Sequence, residues 1–577
     1  MSTHRSLINE PTPLEVATSP PDPRSLDGLF FQGGINEQKI VELELKRLLE
    51  TRYGEIMFGV RHNAPCTAWR SERLLVDGNR LPRFAYRVHL FQQGTSTANF
   101  GRYIGYLSLR PMLMDKAKKS RSLFKYTAVA YLAPPPHMLR PRYHIITSHG
   151  GYADGVQAFR CSAFCFPNLD ADSHASCLHA SLHQAVLLKM DSFGFRLIGS
   201  QDMIALLWQQ QDADPNLKER KLPEEISQEG ASLKQALAVL ESNEVNAGGV
   251  LETILTFDFR EKIYPRNEVY YEVWRCIDEY LSNGLPVIIN LDPEDPKTEK
   301  AETAHFVLIL GMHLLTDPEE EEFFMRIAQD RKWDRIDRAE SPGRLIIHDT
   351  RQGPYIEEQT MKVLSSAWQE DENTNKSGIS MLAITPRGTR IGIYHLRRKA
   401  KNLAGQETDA FWNKYVRECF PMLIVSLSRS QADELRYVVR LLRTTQVVRR
   451  YLMTKNGGQL EIHERAKQCI EQAGPSRDGW WWAVEVTLPW RATTLDSDKV
   501  NVESSDRDVE FEEPDYFHRE DRPPAIIYLW HNTDDENSSP CATIRYLNKQ
   551  KDGNKRVCLS VTGVEEDIEY VMSPQRA

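Results

Sequence analysis

The stretch Ser176-Cys177-Leu178-His179-Ala180-Ser181-Leu182-His183-Gln184-Ala185-Val186-Leu187-Leu188 decides how this chain is read. Its apolar residues recur at helical spacing, so Leu178, Leu182, Ala185 and Val186 share one face. Cys177 then falls in the first turn. Backbone N–H groups there lack intrahelical partners, and the helix dipole presents its positive end. Both favour the thiolate, the nucleophilic form of cysteine. A free cysteine is more often a small buried apolar residue, so the helix start alone decides nothing.

Two further segments supply partners. His305 opens the apolar strand Ala304-His305-Phe306-Val307-Leu308-Ile309-Leu310-Gly311, which puts its ring at the sheet edge, within reach of a thiol on a neighbouring helix. Asp349 closes the strand Arg344-Leu345-Ile346-Ile347-His348-Asp349, just before the turn Gln352-Gly353-Pro354. A carboxylate there accepts the second ring N–H of a histidine and fixes its tautomer and orientation. Cys177, His305 and Asp349 are therefore the candidate catalytic residues.

The order of a helix-leading Cys177, a Gly284-Leu285-Pro286-Val287-Ile288-Ile289 strand, the His305 strand and a strand ending in Asp349 resembles the papain-like cysteine peptidases. Within that superfamily it resembles the bacteriocin-processing (double-glycine) peptidases and their relatives. Their helix start is often of a Cys-Ala-His-Ala type, matched here by Cys177-Leu178-His179-Ala180. The resemblance covers about 155–395, and Tyr103 to Pro111 is similar to segments that precede that domain. It implies a nucleophilic Cys177, a general base His305 and an orienting Asp349. The implied reaction is cleavage of a peptide or isopeptide bond through an acyl-enzyme.

Two alternatives stay open. Transglutaminases and arylamine acetyltransferases use the same residue order for acyl transfer, and a papain-like module can also bind without turning over. The chain departs from the family by lacking a Gln shortly before the cysteine, where an amide helps bind the oxyanion. Phe166 to Asp172 holds none; Asn168 is the nearest substitute, Gln157 is more remote, and Thr350 follows Asp349 where the family often has Pro.

At 577 residues the chain exceeds one hydrophobic core. The expected fold class is α/β (α+β), with the papain-like domain flanked by an N-terminal and a C-terminal α/β domain. The boundaries read as a disordered tail at 1–27, domains at 28–154, 155–395 and 396–577, and an acidic linker at 497–521. The Pro-rich start lacks the apolar core of a signal peptide, no apolar run approaches the roughly 20 residues of a membrane span, and the nine cysteines show no repeated spacing. A cytoplasmic protein is expected.

The net charge of -9 argues against a general polyanion binder, nucleic acid included. The resemblance implies a peptide or protein substrate, and the flanking α/β domains read as recognition or assembly domains that would meet a protein partner. Ser430 to about Met453 reads as a long helix with Arg436, Arg440, Arg443 and Arg450 near one face. Cys161, Cys165, His174, Cys177, His179 and His183 invite a zinc reading. Their Cys pair is one residue wider than C-x-x-C and the second half is irregular, so no metal and no cofactor is expected.

Overall fold

The computed structural model describes residues 46–58, 86–91, 103–111, 126–150, 159–165, 177–196, parts of 203–213, 231–255, parts of 258–263, 266–291, 305–313, 343–371, 376–406, parts of 435–462, 470, 479–487, 525–547, 556–561 and 568–571. The 1–27 tail, the 497–521 linker, Gln157, Asn168 and His174 lie outside the described residues. The chain divides into two compact units, Met1–Arg387 and Gly388–Ala577. Among the described residues no helix is long and apolar enough to cross a membrane.

In the first unit, helix α1 (Arg52–Phe58) precedes strands β1 (Tyr86–Phe91), β2 (Tyr103–Pro111), β3 (Tyr126–Leu132), β4 (Tyr143–Ile145), β5 (Ser148–Gly150) and β6 (Phe159–Cys165). Five of these form an antiparallel sheet in the order β1-β2-β3-β6-β5. Then come helix α2 (Cys177–Phe193), α3 (Leu233–Glu241), β7 (Gly248–Leu255), the small hairpin β8 (Asp258–Phe259) and β9 (Lys262–Ile263), and α4 (Arg266–Ser282). The unit closes with β10 (Val287–Leu291), β11 (His305–His313), β12 (Arg344–Asp349), β13 (Gly353–Gln359), α5 (Thr360–Ser366), β14 (Gln369–Asp371) and β15 (Lys376–Thr385).

The second sheet has eight strands, ordered β13-β12-β11-β10-β15-β14, with β4 paired to β11 and β7 to β15. Every described pairing is antiparallel, so the architecture is α+β. Strands from either side of residue 155 share both sheets: β6 belongs to the first and β4 to the second. The central strands carry no polar alternation because both faces are covered. Ile288, Phe306, Leu308, Leu382 and Ile384 pack beneath α2 and α3. Ile289, Val307, Ile309 and Met381, which alternate with them, are equally buried, and α4 packs against β7, β10, β11 and β15.

Helix α2 is apolar on two faces, as a helix between two layers must be. Leu178, Leu182, Ala185 and Val186 join the core of the eight-stranded sheet, as the helical spacing predicts. Ala180 and Leu187 pack instead on Val129, Ala163 and Cys165 of the five-stranded sheet.

In the second unit, α6 (Ile393–Gln406) precedes β16 (Arg436–Arg443), the short α7 (Thr444–Val447) and a π turn at Val448–Leu452. The hairpin β17 (Met453–Asn456) and β18 (Gln459–Ile462) follows, then β19 (Trp480–Thr487), β20 (Ala525–His531), β21 (Ala542–Leu547), β22 (Arg556–Val561) and β23 (Ile568–Val571). The sheet order is β16-β19-β20-β21-β22-β23.

Here the sequence expectation needs correcting, because the long helix from Ser430 is strand β16 over Arg436–Arg443. Leu435, Tyr437, Val439 and Leu441 alternate into the core, a period of two that the four-residue arginine spacing also satisfies. Arg440 of β16 and Arg450 of the following π turn meet a buried carboxylate instead of forming a basic helical face. Arg440 Nε and Arg450 Nε donate to Glu485 Oε1 at 3.1 and 3.0 Å, and the Tyr451 hydroxyl donates to the same oxygen at 2.7 Å. Trp481 and Trp482, neighbours on β19, are both fully buried, so this part of the sheet is covered on both faces.

Candidate active site

Three elements of the first unit bring the sequence-predicted residues together. Cys177 is the first residue of α2, His305 the first of β11 and Asp349 the last of β12. β11 pairs with both β10 and β12, so the central strand of the sheet carries the histidine and its neighbour carries the carboxylate. The three side chains are nearly excluded from solvent: Cys177 is 3%, His305 6% and Asp349 2% exposed.

His305 Nε2 lies 2.9 Å from Asp349 Oδ1. The same oxygen accepts the Arg351 backbone N–H at 2.7 Å and that of Gln352 at 3.3 Å, while the Gln352 side-chain amide donates to Oδ2 at 3.1 Å. The carboxylate is thus held by its own turn before it meets the ring. Gly353 closes that turn at φ 120°, opposite Asp349 in the β12–β13 pairing. A Cβ there would come within 2.6 Å of Thr51, so the position calls for glycine twice over.

The other ring nitrogen, Nδ1, is buried and makes no hydrogen bond of ordinary geometry. The Cys177 sulfur nevertheless acts with Asp349 to favour the protonated form of the ring. That sulfur accepts the backbone N–H of Phe306 at 3.3 Å, so the start of β11 supplies both the imidazole and an amide donor. Just inside the helix, the Ser181 hydroxyl donates to the Phe306 carbonyl at 3.4 Å and ties α2 to the same strand.

Electrostatics follow from this packing. Burial alone lowers the His305 pKa, but the bonded Asp349 carboxylate and the Cys177 sulfur outweigh it and hold the ring up at about 9. Burial likewise raises the Asp349 carboxyl, and the His305 ring with the two backbone amides overcomes that and holds it below the ordinary 3.8. The contribution of His305 to stability is complete below its ordinary 6.5 and is lost as pH rises through about 9. That of Asp349 is complete above 3.8 and is lost as pH falls through its depressed value.

The neighbouring His348 is no rival for the imidazole role. It is fully buried, its ring packed edge-on to Phe164 at 5.5 Å and Tyr355 at 5.0 Å, and burial pushes its pKa down to about 3. It stays neutral and acts as a core residue.

Of the six residues that invite a zinc reading, Cys165 and His183 meet, with Sγ 3.4 Å from Nδ1. Cys161 sits instead 3.9 Å from the Ser148 hydroxyl. Among the described residues no three of the six converge. A different trio does, His531, Asp534 and Cys541, whose ligand atoms all lie within 4.8 Å of one another. Sequence reading missed it, although a His-x-x-Asp-x6-Cys run between two apolar strands was visible.

No family model matches the chain, no curated protein matches it in sequence, and no solved structure matches it.

Proposed function

We propose that the first unit is a papain-like thiol hydrolase acting on a peptide or isopeptide bond. The observation that carries the reading is His305, bonded at 2.9 Å to a turn-held Asp349 while its other nitrogen is left unbonded and a helix-leading Cys177 acts on the same ring. Cys177 attacks the carbonyl carbon and forms a thioester, and the imidazolium gives its proton to the leaving amine. The neutral ring then takes a proton from water, which attacks the thioester and returns the free enzyme. Asp349 keeps the tautomer and supports the cation without itself being protonated. The Cys177 backbone N–H supplies one donor for the developing oxyanion.

A papain-like module that binds without turnover is the second reading, favoured by the 3% exposure of Cys177. The two separate on turnover of a pooled library of fluorogenic peptide amides and isopeptides by the full chain. The hydrolase reading expects kcat/KM to fall as pH rises through about 9, because the proton donor to the leaving amine is lost. Asp349→Asn is expected to move that limb down towards 6.5, the ordinary imidazole value. No turnover across the library, with no acyl adduct on Cys177, assigns the site to binding. Hydroxylamine in the same assay, read as hydroxamate, distinguishes acyl transfer from hydrolysis.

A further inference from the structure

The second unit carries a cluster that the proposed hydrolase does not use. β20 ends at His531, a ten-residue connection follows, and Cys541 immediately precedes β21. Because β20 and β21 pair antiparallel, the hairpin brings the two ends of this connection side by side, and the Cys541 N–H bonds the Leu529 carbonyl at 2.7 Å. A turn closed by the Asp534 N–H on the His531 carbonyl at 3.1 Å sends Asp534 back between them. Its Oδ2 accepts the His531 backbone N–H at 2.8 Å and the Cys541 thiol at 3.3 Å.

Ordinary loop chemistry accounts for the carboxylate but not for the imidazole. The His531 ring stands edge-on to Trp481 at 4.3 Å, and its Nε2 is buried with no hydrogen-bond partner. A buried polar nitrogen without a partner has given up its water without a compensating bond. The ring belongs to a group in which one ligand atom from each of His531, Asp534 and Cys541 lies within 4.8 Å of the others.

The geometry points to a mononuclear Zn²⁺ site built from His531, Asp534 and Cys541. Bond lengths of about 2.0–2.3 Å around tetrahedral zinc place ligand atoms roughly 3.3–3.7 Å apart. The Asp534–Cys541 pair already meets that spacing at 3.3 Å, and the third ligand needs only a small closure. A sulfur, an imidazole and a carboxylate together suit zinc better than calcium or magnesium, which take oxygen ligands. Binding replaces the thiol proton, which leaves to solvent, and the carboxylate turns from accepting that proton's hydrogen bond to ligating the metal. Three protein ligands leave a fourth position for water or an incoming donor.

The test uses the full chain carrying Cys177→Ala, so that the candidate nucleophile of the first unit cannot contribute its thiolate. Stripped with chelator and titrated with Co²⁺, this protein is expected to bind one equivalent. The complex should show visible d–d bands and a near-ultraviolet thiolate-to-cobalt charge-transfer band, and Zn²⁺ should displace the cobalt. Adding Cys541→Ser removes the charge-transfer band and weakens Zn²⁺ by more than the about 10- to 100-fold that losing a merely supporting partner costs. Adding Asp534→Asn instead keeps the thiol and its band but weakens binding, which covers the case of Cys541→Ser failing to fold by circular dichroism. A folded Cys177→Ala protein with no charge-transfer band overturns the proposal. So does a band that survives Cys541→Ser, which would put the metal elsewhere.

Discussion

Cys177→Ala is expected to lower kcat for the best library peptide by about 10⁵- to 10⁶-fold, and His305→Ala by a similar factor. The double substitution should lose little more than either single one. The reason is mechanical dependence: the imidazole has no work to do without the sulfur it serves, and the sulfur gains no proton relay without the imidazole. Independent contributions would multiply instead. A double variant a further 10³-fold or more below the singles would show that the two residues act separately, and the shared bonding to Phe306 and Asp349 would then be structural only.

Glu485→Ala is expected to destabilise the second unit by about 3–5 kcal/mol, the usual result of removing one partner from a buried ionic cluster. One oxygen of Glu485 accepts from Arg440, Arg450 and Tyr451, and the side chains of Glu485 and Arg450 are only 7% and 13% exposed. Without the carboxylate, two guanidinium groups and a buried phenol lose the oxygen they share. The midpoint of chemical denaturation measures it. A shift below about 0.5 kcal/mol, the scale of an ordinary surface substitution, would mean that the arginines reach water and the cluster holds nothing together.

The candidate site was legible because its three residues sit at element ends, where sequence punctuation is strongest. Cys177 follows a polar stretch and begins an apolar helical period, and His305 and Asp349 begin and end apolar strands that are buried on both faces. The turn that holds Asp349 was legible only in part. Gln352 and Gly353 mark a turn, but the Gln352 amide bonding the carboxylate depends on a side-chain conformation no spacing encodes.

Other features were misread for reasons that physics supplies. Arginines at 436 and 440 satisfy both a four-residue helical repeat and an even strand repeat, and only the burial of Tyr437, Val439 and Leu441 separates the two. Helix α3 carries a local signal that was passed over. Ser232 and Gln235 form a capping box, with the Ser232 hydroxyl accepting the Gln235 N–H at 3.3 Å and Gln235 Oε1 accepting the Ser232 N–H at 2.7 Å. The exchange of strands between the two sheets, with β4 and β6 each crossing residue 155, follows from tertiary pairing that no local pattern announces.

The proposed pairing of Cys177 with His305 is tested most directly by alkylation at neutral pH with a small haloacetamide, read by mass spectrometry at each cysteine. Cys177 is only 3% exposed while Cys541 is partly exposed, so accessibility alone favours Cys541. The account predicts the reverse order, with Cys177 modified first in the wild-type chain and slowed by at least about 10-fold in His305→Ala, because the imidazolium favours the reactive thiolate. Cys177 left intact while Cys541 reacts, or alkylated as fast without His305 as with it, would contradict the account.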